Sequence, residues 1–307
     1  MPCLRPVLPV FAALLALLAA SCTTTSDSGP PRIDEGPGRF LYKDTVSGKS
    51  LWAWYYRPAG LTADSPIVFV MHGVRRNANS YRNNWISFAE HHRFLIVAPE
   101  FSRDDFPGSW HYNLGNVMHR SDSDGGLASN DRKYWSFLIV DRLFHKVRAL
   151  TNSRRESFSL FGHSAGGQFV HRYMTFTGGQ RVALAIAANP GWYTMPLRDE
   201  RFPYGLGGTS ISDAQVKTFF AQPMVVLLGE EDTLRTRNLR QTPEADRQGA
   251  NRLERGKTYF ETAKQRAAST GAAFNWRLQT VPGVGHSNSR IAGSAAALIA
   301  EAEAKRR

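Results

Sequence analysis

The six residues Gly162-His163-Ser164-Ala165-Gly166-Gly167 constrain this chain more than any other stretch. They follow the apolar run Ser157–Phe161 (SFSLF) and precede Gln168–Phe176, whose apolar residues recur at helical spacing. A G-x-S-x-G segment between a strand and a helix is a turn so tight that the serine backbone is strained, and side chains at the flanking glycines would clash. The turn lifts Ser164 Oγ clear of the sheet and sets the Ala165 amide at a helix N-terminus, where it can donate to a developing oxyanion. Chance alone gives such a pattern on the order of 0.1 times per chain before the strand and helix are required.

The rest of the chain repeats this alternation. Ile67–Met71 (IVFVM), Phe94–Ala98 (FLIVA), Val182–Ala187, Met224–Leu228 (MVVLL) and Phe274–Val281 read as strands. The continuous apolar run Ile67–Met71 is that of a strand buried on both faces. Ser80–His92, Trp135–Leu150, Glu244–Ser269 (with a break near Gly256) and Arg290–Ala304 read as helices. Phe40–Lys43 and Leu51–Tyr56 flank a turn and predict an antiparallel hairpin, and 101–130 reads as a long polar loop. The fold class is therefore α/β: a mostly parallel sheet with helices on both faces and the hairpin at its N-terminal edge, in a single domain over 39–307.

The 307 residues are 42% hydrophobic and 21% charged, which excludes a disordered chain. Both cysteines, Cys3 and Cys22, precede this body, so it has no disulfide, thiolate metal site or cysteine nucleophile. The formal net charge is +12, but no basic run of five or more occurs, and no nucleic-acid partner is expected.

A serine nucleophile needs a base, an acid and oxyanion donors. His72-Gly73 ends the IVFVM strand, where the amide of Val74 would face a carbonyl oxygen beside that of Ala165. Met224–Leu228 runs into Gly229-Glu230-Glu231-Asp232; Asp232 is the expected acid, with Glu230, Glu231 and Asp199 as rivals. His286, in the short loop Val284-Gly285-His286-Ser287 after the last strand, is the histidine placed to reach Ser164. Trp110, Tyr112, Trp192 and Tyr193 follow strands on the same side and are expected either to line a substrate pocket or to pack beneath a lid. Arg75-Arg76 is expected to be a solvated pair, with an anionic substrate group as the alternative. His91, His92, His111 and His119 have no metal-binding spacing, and Asp122-Ser123-Asp124-Gly125 fails that of a calcium loop, so neither metal nor cofactor is expected.

Residues 1–21 read as a signal peptide, with Arg5, the 14-residue apolar stretch Val7–Ala20, and small residues before Cys22. The run is too short for a membrane span, which needs about 20 residues. Cys22 is then a candidate for lipidation, which would attach the protein to a membrane of the bacterial cell envelope. Ordinary cleavage after Ser21, giving a free periplasmic or extracellular protein, is the alternative. Residues 22–38, rich in Thr, Ser, Pro and Gly, read as a flexible tether.

The His-Gly after a strand, the Gly-His-Ser-Ala-Gly-Gly elbow and the Val-Gly-His-Ser ending, in the order Ser164, Asp232, His286, resemble the α/β-hydrolase superfamily over essentially all of 39–307. Within it they resemble the poly(3-hydroxybutyrate) depolymerase, feruloyl esterase and acetylxylan esterase group. That resemblance implies a carboxylic-ester hydrolase acting through an acyl-enzyme on a small or oligomeric ester. The group's Leu-His-Gly-Cys is here Met71-His72-Gly73-Val74. A serine peptidase or amidase, or a noncatalytic binding protein on the same scaffold, are the alternatives.

Overall fold

Apolar runs too hydrophobic for a sheet surface place the central strands between two helical layers. The computed structural model describes residues 1, 31–121 and 126–306. In chain order the elements are β1 (Gly36–Lys43), β2 (Ser50–Arg57), β3 (Ile67–Met71), α1 (Ala78–Asn83), α2 (Ile86–His92), β4 (Leu95–Glu100), β5 (Met118–Arg120), β6 (Leu127–Ser129) and α3 (Ser136–Thr151). They continue as β7 (Phe158–His163), α4 (Ala165–Thr177), β8 (Val182–Ala188), α5 (Asp213–Phe220), β9 (Met224–Gly229), α6 (Pro243–Asp246), α7 (Arg252–Thr270), β10 (Trp276–Val281) and α8 (Asn288–Ala304).

The main sheet runs β1-β2-β4-β3-β7-β8-β9-β10. From β4 to β10 neighbours are parallel, while β1–β2 and β2–β4 are antiparallel, so the expected hairpin forms the edge. Alternation along each strand divides the core. In β3, Ile67, Phe69 and Met71 join the side chains of α3, α4, α5 and α7, whereas Val68 and Val70 join those of α1, α2 and α8. Burying each such side chain contributes about 1.5–3 kcal/mol before chain entropy is counted.

The structure departs from the sequence reading at several points. β4 does not stop at Pro99: the proline pairs antiparallel with Ala53, and the strand continues to Glu100. Ser80–His92 is two helices, because Asn84 and Trp85 interrupt the turn and Trp85 is fully buried against Phe161. The long helix over 244–269 breaks at 247–251, where the Asn251 side chain accepts from the Glu254 amide and starts α7 afresh. Gly256 lies inside α7; a Cβ there would press on Leu228 of β9, so its role is close helix–sheet approach. The loop over 101–130 contains the small hairpin β5–β6. α5 is an additional helix, opened by a capping box between Ser212 and Gln215.

Residues Pro31–Arg307 form one compact unit. It begins before the expected boundary at 39: Ile33 is buried, its carbonyl accepts from Arg57 at 2.8 Å, and Gly36–Gly38 already pair with β2. Residues 2–21 of the expected signal peptide, the lipidation candidate Cys22 and Asp122–Gly125 lie outside the described residues. Among the described residues no helix is long and apolar enough to cross a membrane, and no His, Cys, Asp and Glu cluster is suited to a metal.

Candidate active site

Ser164 occupies the turn between β7 and α4 with φ 60° and ψ −118°, a conformation that costs a non-glycine residue on the order of 1–3 kcal/mol. The surrounding hydrogen bonds over-determine it. Its amide donates to the Ala188 carbonyl of β8 at 2.9 Å, and its own carbonyl accepts from the Gln168 amide at 3.0 Å. The glycines permit the turn by close approach: a Cβ on Gly162 would overlap the Gly166 carbonyl, and one on Gly166 would overlap the carbonyl oxygen of Met71. Both neighbours are backbone and cannot swing aside. Gly166→Ala is therefore expected to cost at least about 2 kcal/mol, read as a lower urea midpoint at unchanged slope.

The loops after β9 and β10 bring two further side chains to the serine. His286 Nε2 lies 3.0 Å from Ser164 Oγ, and His286 Nδ1 lies 2.6 Å from Asp232 Oδ2. Asp232 is 2% exposed, whereas its rivals Glu230, Glu231 and Asp199 are on the surface, and Glu230 accepts instead from Thr280 at 2.7 Å. The two loops are laced together. The Glu231 amide donates to the Val284 carbonyl at 3.0 Å, and the Asn189 side chain accepts from the Gly229 amide while donating to the Gly285 carbonyl.

Three neighbours of this row were not singled out by sequence. Arg252, the first residue of α7, puts Nη1 3.3 Å from Asp232 Oδ1, and both side chains are 2% exposed. One carboxylate oxygen thus faces the histidine and the other a guanidinium. Arg252→Leu leaves a buried carboxylate without its counter-charge and is expected to cost about 3 kcal/mol of stability in urea unfolding. His163 sets its ring 4.6 Å from that of His286, tilted by 37°, and its Nδ1 shares a hydrogen bond with Tyr81 Oη at 3.2 Å. Burial, reinforced by the His286 and Arg252 charges, holds His163 well below the usual histidine pKa, so it meets His286 as a neutral ring. Tyr81 carries that contact from α1.

Ser164 and His286 open into a cleft of about 290 Å³, whose other polar side chains include Arg75, Asn77, Asn238 and Asn288. Val74 also lines it, and Ala165 is the first residue of α4. Among the described residues neither of these two amides donates to another protein group. For Ala165 this follows from its place in the first helical turn. His72 lies behind the cleft wall, fully buried: it accepts the Phe101 amide at Nε2, 3.0 Å away, and burial pushes its pKa down to about 3. It is a neutral post for the loop after β4.

One expectation is corrected here, and one pair of alternatives is decided. Arg76 is not a solvated residue: it is buried, and its guanidinium donates to the carbonyls of Phe101, Phe106 and Gly108 at 2.5, 3.1 and 2.7 Å. The aromatic residues do not line the cleft that holds Ser164. Tyr112 is buried, stacked on His72 at 4.5 Å with its hydroxyl on the His72 carbonyl. Tyr193 is stacked on Tyr259 at 4.3 Å. Trp192 lies under the Arg172 guanidinium at 4.1 Å, and half-buried Trp110 packs against Phe202 at 6.0 Å. They pack within the protein, where each ring finds an apolar, aromatic or cationic partner.

Solved structures share this arrangement of the chain. Poly(aspartic acid) hydrolase-1 from Sphingomonas sp. KT-1 superposes with a TM-score of 0.82 at 38% identity, covering 87% of this chain and 99% of that one. A poly(3-hydroxybutyrate) depolymerase from Bordetella parapertussis gives 0.80 at 39% identity, covering 87% and 90%. The chain belongs to the α/β-hydrolase superfamily. A more distant α/β hydrolase, an S-formylglutathione hydrolase from Agrobacterium tumefaciens, shares the fold at 15% identity and a TM-score of 0.51, covering 89% and 96%. No protein-family model matches the chain, and no curated protein matches it.

Proposed function

We propose that the protein is a serine hydrolase that cleaves carboxylic esters through an acyl-enzyme. The observation that carries this reading is the continuous row from Ser164 Oγ to His286 to Asp232, at 3.0 and 2.6 Å, opening into a cleft. His286 Nε2 takes the hydroxyl proton as Ser164 Oγ attacks the ester carbonyl carbon. Asp232 holds Nδ1–H and offsets the imidazolium charge. The amides of Val74 and Ala165 donate to the oxyanion, and the strained elbow fixes the second of them at no cost during reaction. Collapse expels the alcohol, which takes the proton back from His286. Water then attacks the acyl-enzyme with the same base and releases the acid.

A second reading, amide hydrolysis by the same residues, is favoured by one relative. Poly(aspartic acid) is a polyamide, and the hydrolase named for it is 38% identical. The test is a series of 4-nitrophenyl esters of increasing acyl length beside matched anilides, with labelling by a fluorophosphonate. Turnover of esters well above anilides supports the ester reading; the reverse order supports the second. Absence of both turnover and labelling removes the serine-hydrolase reading.

We further propose that the protein works in the bacterial envelope, held to a membrane by acyl chains on Cys22. The small residues before that cysteine and the Thr/Ser/Pro/Gly-rich segment after it support this reading. Membrane binding then follows from about 0.8 kcal/mol per buried CH₂. The expected results are partition of the mature protein into detergent and loss of that behaviour in Cys22→Ser. A wild-type protein that is soluble with a free amino terminus at residue 22 refutes the anchor.

A further inference from the structure

The polar side chains around Ser164 are biased in charge. Beside the reacting histidine and serine, the cleft presents the Arg75 guanidinium and the carboxamides of Asn77, Asn238 and Asn288, and among the described residues no Asp or Glu lines it. Arg75 has no acidic partner among the described residues. Arg103, which does not itself line the cleft, donates to the carbonyl of the cleft residue Val74 at 3.0 Å and among the described residues likewise makes no ion pair. Most other arginines near the loops are spoken for: Arg76 holds three carbonyls, Arg252 faces Asp232, and Arg235 and Arg255 face Asp246.

Helix geometry adds to the bias. α4 (13 residues) and α8 (17 residues) both start at this cleft, at Ala165 and Asn288, so two positive dipole ends converge on it. Asn288 supplies an independent observation. It is 8% exposed, it lines the cleft, and neither its amide nitrogen nor its amide oxygen has a hydrogen-bond partner in the protein. A buried carboxamide is normally paired, and Asn288, at the cleft wall, has neither amide atom paired. Two guanidiniums, two helix N-termini and an unpaired amide form a surface that favours negative charge beside the reacting serine.

We infer that this cleft selects substrates bearing a carboxylate a few bonds from the scissile carbonyl, with Arg75 as the cation in its wall, Arg103 as a second cation held at the Val74 carbonyl, and Asn288 as a buried hydrogen-bonding contact. The inference rests on the serine-hydrolase reading above and names the substrate class of that site. The carboxylate is a recognition group and takes no part in bond making: the acyl–oxygen bond breaks, the alcohol leaves with one proton, and the carboxylate is unchanged.

The test uses two substrates matched in length, 4-nitrophenyl hydrogen adipate, which is anionic, and 4-nitrophenyl methyl adipate, which is neutral. The full-length protein is expected to show a kcat/KM ratio of about 10 in favour of the anionic ester, a preference that shrinks as added salt shortens the Debye length below about 10 Å. Arg75→Gln is expected to lower the ratio several-fold, Arg75→Gln with Arg103→Gln to bring it near one, and Arg75→Glu to invert it. Arg75→Lys keeps the charge and is expected to retain most of the preference. A wild-type ratio of one or less, or a ratio unchanged in the double variant, overturns the inference while hydrolysis of the neutral ester leaves the serine-hydrolase reading standing. If wild type turns over neither ester and takes no fluorophosphonate label, the underlying reading falls instead.

Discussion

Ser164→Ala is expected to lower ester turnover by about 10⁶, some 8 kcal/mol of transition-state stabilisation, because the residues of such a row act as a unit. Fluorophosphonate labelling should disappear with it. The fold should survive: alanine keeps the Cβ and the same backbone, and Ser164 Oγ meets His286 at the open side of the site. The strain at φ 60° also remains in the alanine variant, so its thermal midpoint should stay close to wild type. Ser164→Gly separates the two effects. It removes the nucleophile and relaxes the left-handed turn, and it should therefore be equally inactive yet more stable by up to about 1 kcal/mol. Retained labelling in either variant would point to another nucleophile.

The elbow and the histidine loop were legible because each is a local pattern. Glycines that permit close approach must sit beside the serine, and His286 is the histidine that follows the last strand. The central strands were legible because burial on both faces demands an unbroken apolar run, as in Ile67–Met71. What escaped depended on partners distant in sequence. Arg252 lies 20 residues beyond Asp232 on another element, and nothing local distinguishes it from the protein's surface arginines. Arg76 read as half of a solvated pair because its three acceptors belong to a loop 25 to 32 residues away. Trp192 and Tyr193 read equally as pocket wall or packing, since an aromatic run has no address without its partners Arg172 and Tyr259.

Two secondary-structure differences have a local cause that pattern alone under-weighted. Ser212-Asp213-Ala214-Gln215 carries the residues of a capping box, yet the helix it opens is only eight residues long and has too few apolar positions to stand out. In the 244–269 segment, Asn251 followed by Glu254 is likewise a helix start, and it outweighed the glycine at 256 as the place where the chain re-enters a helix. In both cases capping chemistry decided a boundary that hydrophobic spacing left open.

Asp232→Asn is the second large effect and the sharper test of how the site is assembled. The asparagine fits the same space but offers a donor or a weaker acceptor to Nδ1, so the imidazole loses the orientation and tautomer that present a free Nε2 to Ser164. A loss of about 10⁴ in turnover is expected, some 5.5 kcal/mol. The neighbouring guanidinium makes the outcome specific to this protein. With the carboxylate gone, Arg252 is a buried cation without a counter-charge, close to the imidazolium that must form. The variant should therefore also lose stability, and adding Arg252→Leu should restore part of that stability and part of the turnover. Tautomer loss by itself predicts no recovery of turnover from the second substitution, so the double variant measures how much of the loss is electrostatic. Glu230→Gln and Glu231→Gln, both at exposed positions, should each stay within about tenfold of wild type. If Asp232→Asn turns over esters at a near-normal rate while Asp199→Asn is inactive, the acid follows β8 rather than β9, and the 2.6 Å contact to His286 is not the one that sustains the reaction.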